Sequence, residues 1–124
     1  MKIYMAGFFD TRARLRPIRD RLRAQGAVVL SSWLDEEGVT YQTVDDAYKT
    51  SCALRDLEEV QACDILILDT LDESSRGGRE VEYGYALGKM KQVWVVGPLR
   101  NVFHYVAAKH FSSWDEVMAW LASG

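Results

Sequence analysis

The stretch "DILILDT", residues 64–70, indicates the fold of this chain most directly. It is a short, continuous apolar run, and such a run is typical of a strand that is buried on both faces. A loop, "LDESSRGG", and a helical segment, "REVEYGYALGKMK", follow it, and a further apolar run, "QVWVVGP", begins at residue 92. This order predicts two parallel strands that are joined by a helix.

The same alternation of strand and helix extends over the rest of the chain. A possible edge strand and a last helix, which opens on the capping-box pair Ser113 and Glu116, complete the sequence. We therefore predict a single α/β domain, residues 1–124, with a doubly wound, flavodoxin-like or Rossmann-like parallel sheet of about five strands and helices on both faces. The earlier strands and helices of this prediction alternate along the chain at 2–7, 10–26, 27–33 and 44–63.

Composition bounds the class of protein. The chain has 124 residues, of which 48% are hydrophobic and 27% are charged, and these proportions are typical of a globular domain with a packed core. The net charge of −3 argues against a nucleic-acid partner, so we expect the arginine-rich segment 12–23 to be a solvated helix face. Because no signal peptide or long apolar run is visible, we expect a cytoplasmic protein with reduced thiols and no membrane contact.

Three loops that follow predicted strands mark the place to look for a ligand. In a doubly wound sheet, ligands bind beyond the carboxyl ends of the strands, where the strand order reverses. The loops are "GFFD", "SSWLDEEG" and "TLDESSRGGRE". The last leads into a helix N-terminus, which favours an anion, so Arg76 and Arg79 beside Gly77 and Gly78 can cradle a phosphate. A flexible loop that merely leads into the helix explains the same residues.

Two glutamates, Glu80 and Glu82, open the helix after this loop. We expect four residues at helical spacing to form the buried face of this helix. The two glycines among them would allow the helix to approach the sheet closely. Glu80 and Glu82 then lie on the two flanks of that face, so geometry does not decide which of them lines a cleft. Both can also be surface acids that the helix dipole favours. The four residues of the expected buried face are Val81, Gly84, Tyr85 and Gly88.

Four segments of the chain resemble the nucleoside 2-deoxyribosyltransferases and the related deoxynucleoside 5′-monophosphate N-glycosidases. They are "IYMAG", "RDLEEVQACDILILD", "GGREVEYGYALGK" and "VWVVGPLRNVFHY". The resemblance extends from Lys2 to about Leu121, and its most specific element is Glu-x-Gly-x-Ala at 82–86. It implies an enzyme that cleaves the N-glycosidic bond of a nucleoside or its 5′-monophosphate and passes the deoxyribosyl group to another nucleobase or to water.

The resemblance also implies roles for individual residues. Glu82 matches the family's glutamate nucleophile, Asp56 matches the aspartate that handles the leaving base, and Tyr4 and Gly7 match the first-strand tyrosine and the turn after it. Without the resemblance, Asp56 is a helix-surface acid and Tyr4 a core residue. Asn101 matches an asparagine that reaches into a neighbouring subunit's site, which implies a homodimer or a higher homo-oligomer with shared sites. A turn-forming role for Asn101 remains an alternative.

One position departs from the family pattern. Where the transferases have a sugar-binding aspartate and the monophosphate hydrolases a phosphate-binding serine, this chain has Arg76. A 5′-phosphate can still be bound by Arg76 and Arg79 together with Ser74, Ser75 and the Gly77 amide, because guanidinium groups suit oxyanions.

Aromatic residues occupy the predicted ligand-binding loops. Phe8, Phe9 and Trp33 are placed to sandwich a planar base, or else to pack at the rim of the core. We expect neither metal nor cofactor, since His104 and His110 lack a set of partner ligands. The expected substrate-binding residues are Gly7, Phe8, Phe9, Trp33, Ser75, Arg76, Gly77, Gly78 and Asn101.

Three other interpretations stay open at the level of sequence. A response-regulator receiver has the same alternation of elements and an aspartate at the position of Asp69, but it needs an acidic pair where this chain has "GFFD" and a lysine where it has "VGPL". A catalytically silent relative would bind a nucleotide or modified base as a sensor, without turnover. A glycosidase acting on a ribonucleotide or a dinucleotide is the third.

Overall fold

The computed structural model of the chain describes residues 1–37, 43–73 and 76–124. Its centre is a five-stranded sheet in the order β2-β1-β3-β4-β5, in which every neighbouring pair is parallel. The predicted doubly wound parallel sheet is confirmed. The strands are β1 (Lys2–Ala6), β2 (Val28–Val29), β3 (Ile65–Asp69), β4 (Gln92–Val96) and β5 (Lys109–Phe111).

Helices cover both faces of this sheet. Because α1 packs against α4 while α2 packs against α3, the helices form one layer on each side. The strand order reverses between β1 and β3, which places the predicted ligand site at the carboxyl ends of these two strands. The helices are α1 (Arg12–Ala24), α2 (Asp46–Ala62), α3 (Gly78–Gly88) and α4 (Trp114–Ser123), and short 3₁₀ turns cover Phe9–Thr11, Ser32–Asp35 and Val102–Val106.

Local sequence signals set the ends of the helices. The side chain of Asp45 accepts a hydrogen bond of 2.8 Å from the Tyr48 N–H at the start of α2. Gly26, with φ of +96°, follows the end of α1 in a left-handed conformation that favours glycine. The Ser113 hydroxyl accepts from the Glu116 N–H at the start of α4, which confirms the predicted cap.

The buried face of α3 differs from the prediction. Val81 is 62% exposed, and a side chain added at Gly84 or Gly88 would meet nothing within 4 Å, so the face predicted from these residues is not the core face. The buried residues of α3 are instead Arg79, Tyr83 and Ala86. Two of them form hydrogen bonds from the buried face, because the Tyr83 hydroxyl donates to the Phe103 carbonyl and the Nη1 of Arg79 donates to two backbone carbonyls. A pattern that assigns arginine to the surface cannot detect such a face.

The arginine-rich segment also differs from the expectation of a solvated face. Arg19 is 8% exposed and its guanidinium donates to Asp20 and Asp35. Arg14 binds both carboxylate oxygens of Asp69, at 2.9 and 3.0 Å. These arginines therefore anchor α1 to the loops at the carboxyl edge of the sheet. Their side chains can be partly or largely buried because each guanidinium is paired with a carboxylate.

Asp69 is fully engaged at the end of β3. It is 1% exposed, and besides Arg14 its carboxylate accepts from the indole N–H of Trp114, at 2.7 Å, and from the Leu71 N–H, at 3.0 Å. A phosphoryl donor has no access to such a carboxylate. This burial counts against the receiver interpretation.

Gly97, directly after β4, leaves no room for a side chain. Its φ is +114°, and an added Cβ would lie 2.6 Å from the Thr70 Oγ1 and 3.0 Å from the Leu71 backbone nitrogen. We expect Gly97→Ala to lower the free energy of unfolding by about 2 kcal/mol or more, measured by urea denaturation. Gly84→Ala is the matched control, because that glycine is helical and open, and alanine there should be neutral or stabilising. Equal midpoints for Gly97→Ala and the wild type would contradict this reasoning.

Candidate active site

A cavity of about 320 Å³ lies at the point where the strand order reverses. Its walls come from the loops after β1 and β2, from one face of α2 and from the first turns of α3. A concave site of this size with a few polar groups suits a small molecule. The residues that line it are Gly7, Phe8, Phe9, Trp33, Glu36, Val44, Tyr48, Lys49, Cys52, Ala53, Asp56, Arg76, Gly78, Arg79 and Glu82.

Of the two glutamates on α3, Glu82 is the one that lines the cavity. The Tyr4 hydroxyl donates a hydrogen bond of 2.6 Å to its carboxylate. Burial, with smaller contributions from the nearby charges of Asp56 and Glu59, raises the pKa of Glu82 to about 8, and the hydrogen bond from Tyr4 opposes this rise. Glu80 lies on the other flank, where its carboxylate meets the His104 Nε2 at 2.9 Å.

Tyr4 supports Glu82 from beneath rather than lining the cavity. It is completely buried on β1, where it is paired with Leu66 of β3. Burial, and next the nearby charge of Glu82, raise the pKa of its phenol well above the ordinary value. Tyr4 therefore keeps its proton at neutral pH and acts as a fixed hydrogen-bond donor to Glu82.

Asp56 supplies a second carboxyl to the cavity, from α2. Burial raises its pKa to about 6, against the lowering effect of Arg55, which donates to its Oδ1 at 2.8 and 3.1 Å. Two carboxyls with separated pKa values in one cavity form an arrangement that suits an acid and a base or nucleophile.

Aromatic side chains form the wall contributed by the loops after β1 and β2. The rings of Phe9 and Trp33 are stacked with their centroids 6.3 Å apart, and Phe8 lines the cavity beside them. The indole N–H of Trp33 donates to the Met5 carbonyl at 2.9 Å, which fixes the ring. Gly7 leaves room for this packing, because an added Cβ would lie 3.0 Å from the Leu15 Cδ1. The wall offers flat apolar surface to a planar ligand.

Two arginines flank the start of α3. Arg76 lines the cavity, pairs with Asp10 at 3.2 Å, and has its guanidinium 5.7 Å from the centre of the Phe8 ring. Arg79 is buried, and its Nη1 donates to the carbonyls of Asp69 and Asp72. The Nε of Arg79 has no hydrogen-bond partner among the described residues. Positive charge therefore lies beside the cavity at the helix N-terminus.

Eight of the site residues predicted from the sequence come together in this cavity, and Tyr4 contacts it through Glu82. Gly77, with φ of +95°, precedes α3 without lining the cavity. Asn101 lies outside it, where its side chain accepts from the N–H groups of Phe103 and His104 and so caps a 3₁₀ turn. Ser74 and Ser75 lie outside the described residues. The eight are Gly7, Phe8, Phe9, Trp33, Asp56, Arg76, Gly78 and Glu82.

Sequence reasoning missed part of the wall. Tyr48 and Cys52 precede Asp56 by eight and four positions on α2, so helical spacing from Asp56 would have found them. Glu36 carried no such signal, because it joins the site through Arg55, whose Nη1 lies 2.6 Å from the Glu36 Oε1. The other unpredicted wall residues are Val44, Lys49 and Ala53.

Two further properties of the described ranges bear on function. Residues 1–37, 43–73 and 76–124 contain no group of three or more His, Cys, Asp or Glu side chains placed to hold a metal ion. None of the helices in those ranges combines the length and the apolar composition that a membrane span requires.

A doubly wound α/β domain with two carboxyls and an aromatic wall at its topological switch point is an architecture suited to enzymes that act on small planar substrates. The chain belongs to the nucleoside 2-deoxyribosyltransferase family, whose sequence model matches residues 3–118. The resemblance stated above is confirmed. No curated protein matches the chain at a significant level.

Solved structures of known enzymes share the fold. The 2-deoxyribosyltransferase of the psychrotolerant bacterium Bacillus psychrosaccharolyticus superposes with a TM-score of 0.80 at 22% identity, over 98% of this chain and 96% of that one. The 2-deoxyribosyltransferase of Leishmania mexicana gives 0.72 at 16% identity, over 98% and 97%. The CMP N-glycosidase of Clostridium botulinum gives 0.66 at 14% identity, over 98% and 99%. At these identities the likeness establishes the fold.

Proposed function

We propose that this protein cleaves the N-glycosidic bond of a deoxynucleoside or its 5′-monophosphate, with Glu82 as nucleophile, and passes the deoxyribosyl group to another nucleobase or to water. The observation that carries the proposal is the Glu82 carboxyl, which lines the cavity, is held by Tyr4 and shares the cavity with Asp56. Family membership supports deoxyribosyl transfer or N-glycosidase activity as the class of reaction.

The two carboxyls fit the charges that develop in this reaction. As the bond from C1′ to the base nitrogen breaks, its electron pair goes to the base and positive charge grows on the sugar. The Glu82 carboxylate forms a bond to C1′ while the protonated Asp56 gives its proton to the departing base. A second base, or water, then attacks C1′, releases Glu82 and returns a proton to Asp56, as in retaining glycoside hydrolysis.

In the protein by itself, burial favours the proton on the opposite carboxyl, Glu82. With the pKa of Glu82 at about 8 and that of Asp56 at about 6, the pair carries one proton at neutral pH, and that proton resides mainly on Glu82. Cleavage of the glycosidic bond requires this proton on Asp56 or on the departing base. Positive charge developing on the sugar beside Glu82 favours the ionised form of that carboxyl, so the proton is redistributed as the reaction proceeds.

The surroundings of the carboxyls suggest how the substrate lies. The wall of Phe8, Phe9 and Trp33 takes the base, and Arg76 lies at the opening of α3, where a 5′-phosphate would meet positive charge and helix amides. In an oligomer, Asn101 of a second copy reaches the sugar. The exposed apolar side chains of Phe103 and Tyr105 beside Asn101 support such a contact between subunits.

The test is chromatography of the free base released from deoxyadenosine, deoxycytidine, adenosine, cytidine and their 5′-monophosphates, with and without an added acceptor base. We expect release from at least one deoxy compound. An increase on adding the acceptor identifies transfer, and release without it identifies hydrolysis. Release from ribonucleotides alone would assign a different sugar. Calorimetric binding of a panel member without release from any would replace the proposal with the silent sensor.

A further inference from the structure

Arg55 makes an unusual contact with its own neighbour in the sequence. Side chains at adjacent positions of a helix point about 100° apart and do not normally face each other. Nevertheless, the Nε and Nη2 of Arg55 both lie within hydrogen-bond distance of the Asp56 Oδ1, at 3.1 and 2.8 Å. The remaining terminal nitrogen, Nη1, donates to the Glu36 Oε1 at 2.6 Å. The guanidinium therefore bridges two carboxylates, one on α2 and one on the loop after β2.

This bridge makes the two oxygens of Asp56 different. Oδ1 accepts from two N–H groups of a cation, whereas Oδ2 has no hydrogen-bond partner among the residues that the structure describes. A proton on Asp56 is therefore favoured on Oδ2, because protonating Oδ1 would set a hydroxyl against two donors. Asp56 lines the cavity, so its unbonded oxygen is the one available to a ligand.

Glu36, the other end of the bridge, is held firmly. Its carbonyl oxygen accepts from the guanidinium groups of Arg12 and Arg16 on α1. The thiol of Cys52 also lies 3.4 Å from its Oε1. Since Glu36 is fixed to α1, Arg55 is fixed at both ends, and the orientation of Asp56 is determined by groups on two different helices.

We propose that Arg55 is a positioning residue that holds Asp56 with its Oδ2 proton directed at the departing base. The inference rests on the proposed function and adds a requirement to it. In the first step, the electron pair of the bond between C1′ and the base nitrogen moves to the base, and the proton on Oδ2 joins the base. The Asp56 carboxylate that remains keeps its ion pair with Arg55. Arg55 itself touches neither sugar nor base.

Arg55→Met, which keeps the length of the stem, and Arg55→Lys, which keeps the charge, test this role with two substrates. One is the panel member that the wild type cleaves fastest, and the other is p-nitrophenyl 2-deoxyriboside, whose nitrophenolate departs without a proton. We expect Arg55→Met to lower kcat about 100-fold on the first and less than about fivefold on the second, because only the first needs the acid. Arg55→Lys should lie between, since a single ammonium cannot fix the carboxylate in the same way.

A pH profile supplies a readout that mere loss of structure would not move. The charged and titratable groups around Asp56 are Arg55 and Glu59 on α2, Glu36 after β2, Glu82 on α3 and Tyr4 on β1. Of these, Arg55 lowers the pKa of Asp56. Removal of Arg55 should therefore raise the pKa of Asp56. The midpoint of the acidic limb of the kcat/KM profile, near pH 6 in the wild type, should move upward by about one pH unit as a result.

Arg21→Met is the matched control, because Arg21 is exposed and pairs with Asp115 on the surface. Arg21→Met should leave kcat on both substrates unchanged, and the midpoint of the acidic limb of the pH profile should not move. Equal losses on the two substrates in Arg55→Met, with an unmoved limb, would reduce Arg55 to a structural residue and overturn the inference while leaving the glycosidase proposal intact. If Arg55→Met does not fold, the same comparison is made with Arg55→Lys. Failure of the wild type to release base from any member of the nucleoside panel would instead defeat the proposed function itself.

Discussion

Glu82→Gln should lower kcat for base release by at least about 10⁴-fold, because an amide cannot form the bond to C1′. The substitution keeps the size of the side chain and an oxygen that can still accept the hydrogen bond from Tyr4. The cavity should therefore stay formed and still bind substrate. The measurement is the single-turnover release of free base from the panel member that the wild type cleaves fastest, together with calorimetric binding of the same compound.

The control for this loss is Glu58→Gln, which removes a carboxylate of the same type from an exposed position on α2. We expect wild-type activity from it. Glu82→Gln with the full activity of the wild type would show that another group attacks the sugar, and the nucleophile would then have to be sought elsewhere in the cavity. Lost binding as well as lost release would point to a collapsed site rather than to missing chemistry.

The same substitution should make the protein more stable at neutral pH. Burial raises the pKa of Glu82 from its ordinary value of 4.5 to about 8, so the folded chain retains a proton that the unfolded chain releases. Stability of the wild type is therefore lost progressively as the pH rises from 4.5 through about 8. Glutamine does not titrate, and we expect Glu82→Gln to gain about 3 kcal/mol in the free energy of unfolding at pH 7.

Urea denaturation at a series of pH values measures this gain. The difference between the two proteins should be largest near pH 8 and should vanish near pH 4, where the carboxyl is protonated in both the folded and the unfolded chain. A constant difference across that range would refute the electrostatic explanation, because a change in packing does not depend on pH. Lower stability at neutral pH is the expected cost of burying a carboxyl where the proposed reaction needs it.

The sequence was sufficient for the sheet because its central strands are unambiguous. β3 is buried along its whole length, and continuous apolar runs such as "DILILD" have few other uses in a chain of this size. The capping signal at Ser113 was equally local, since it depends on a side chain and an N–H three residues away. Features that depend on neighbouring sequence alone were predictable.

The faces of α1 and α3 were not predictable in this way. Arg14, Arg19 and Arg79 are held at low or intermediate exposure by acceptors that lie far away in the sequence or on the backbone. Hydrophobic periodicity assigns such residues to the solvent-exposed surface. For this reason the predicted buried face of α3 was wrong. Burial of a charged group depends on its partners, and partners are a property of the assembled fold.

The candidate site was predictable where the family pattern reached and no further. Glu82 and Asp56 could be named from short motifs, and the structure brings both to one cavity, while their roles stay proposals. Glu36 lies outside the segments that carry the resemblance, and the resemblance implied no role for Arg55. Their importance appears only when the loop after β2 meets α2 and joins the two carboxylates through one guanidinium.

The hydrogen bond between Tyr4 and Glu82 joins residues that are 78 positions apart in the sequence. Its formation requires β1, β3 and α3 to be assembled, and contacts of such long range form at a large cost in chain entropy during folding. No partly folded form that lacks the central sheet can therefore surround the Glu82 carboxyl as the native state does. During refolding, activity should therefore return with the slowest cooperative step. The rate at which activity recovers would then measure the rate at which the native topology is completed.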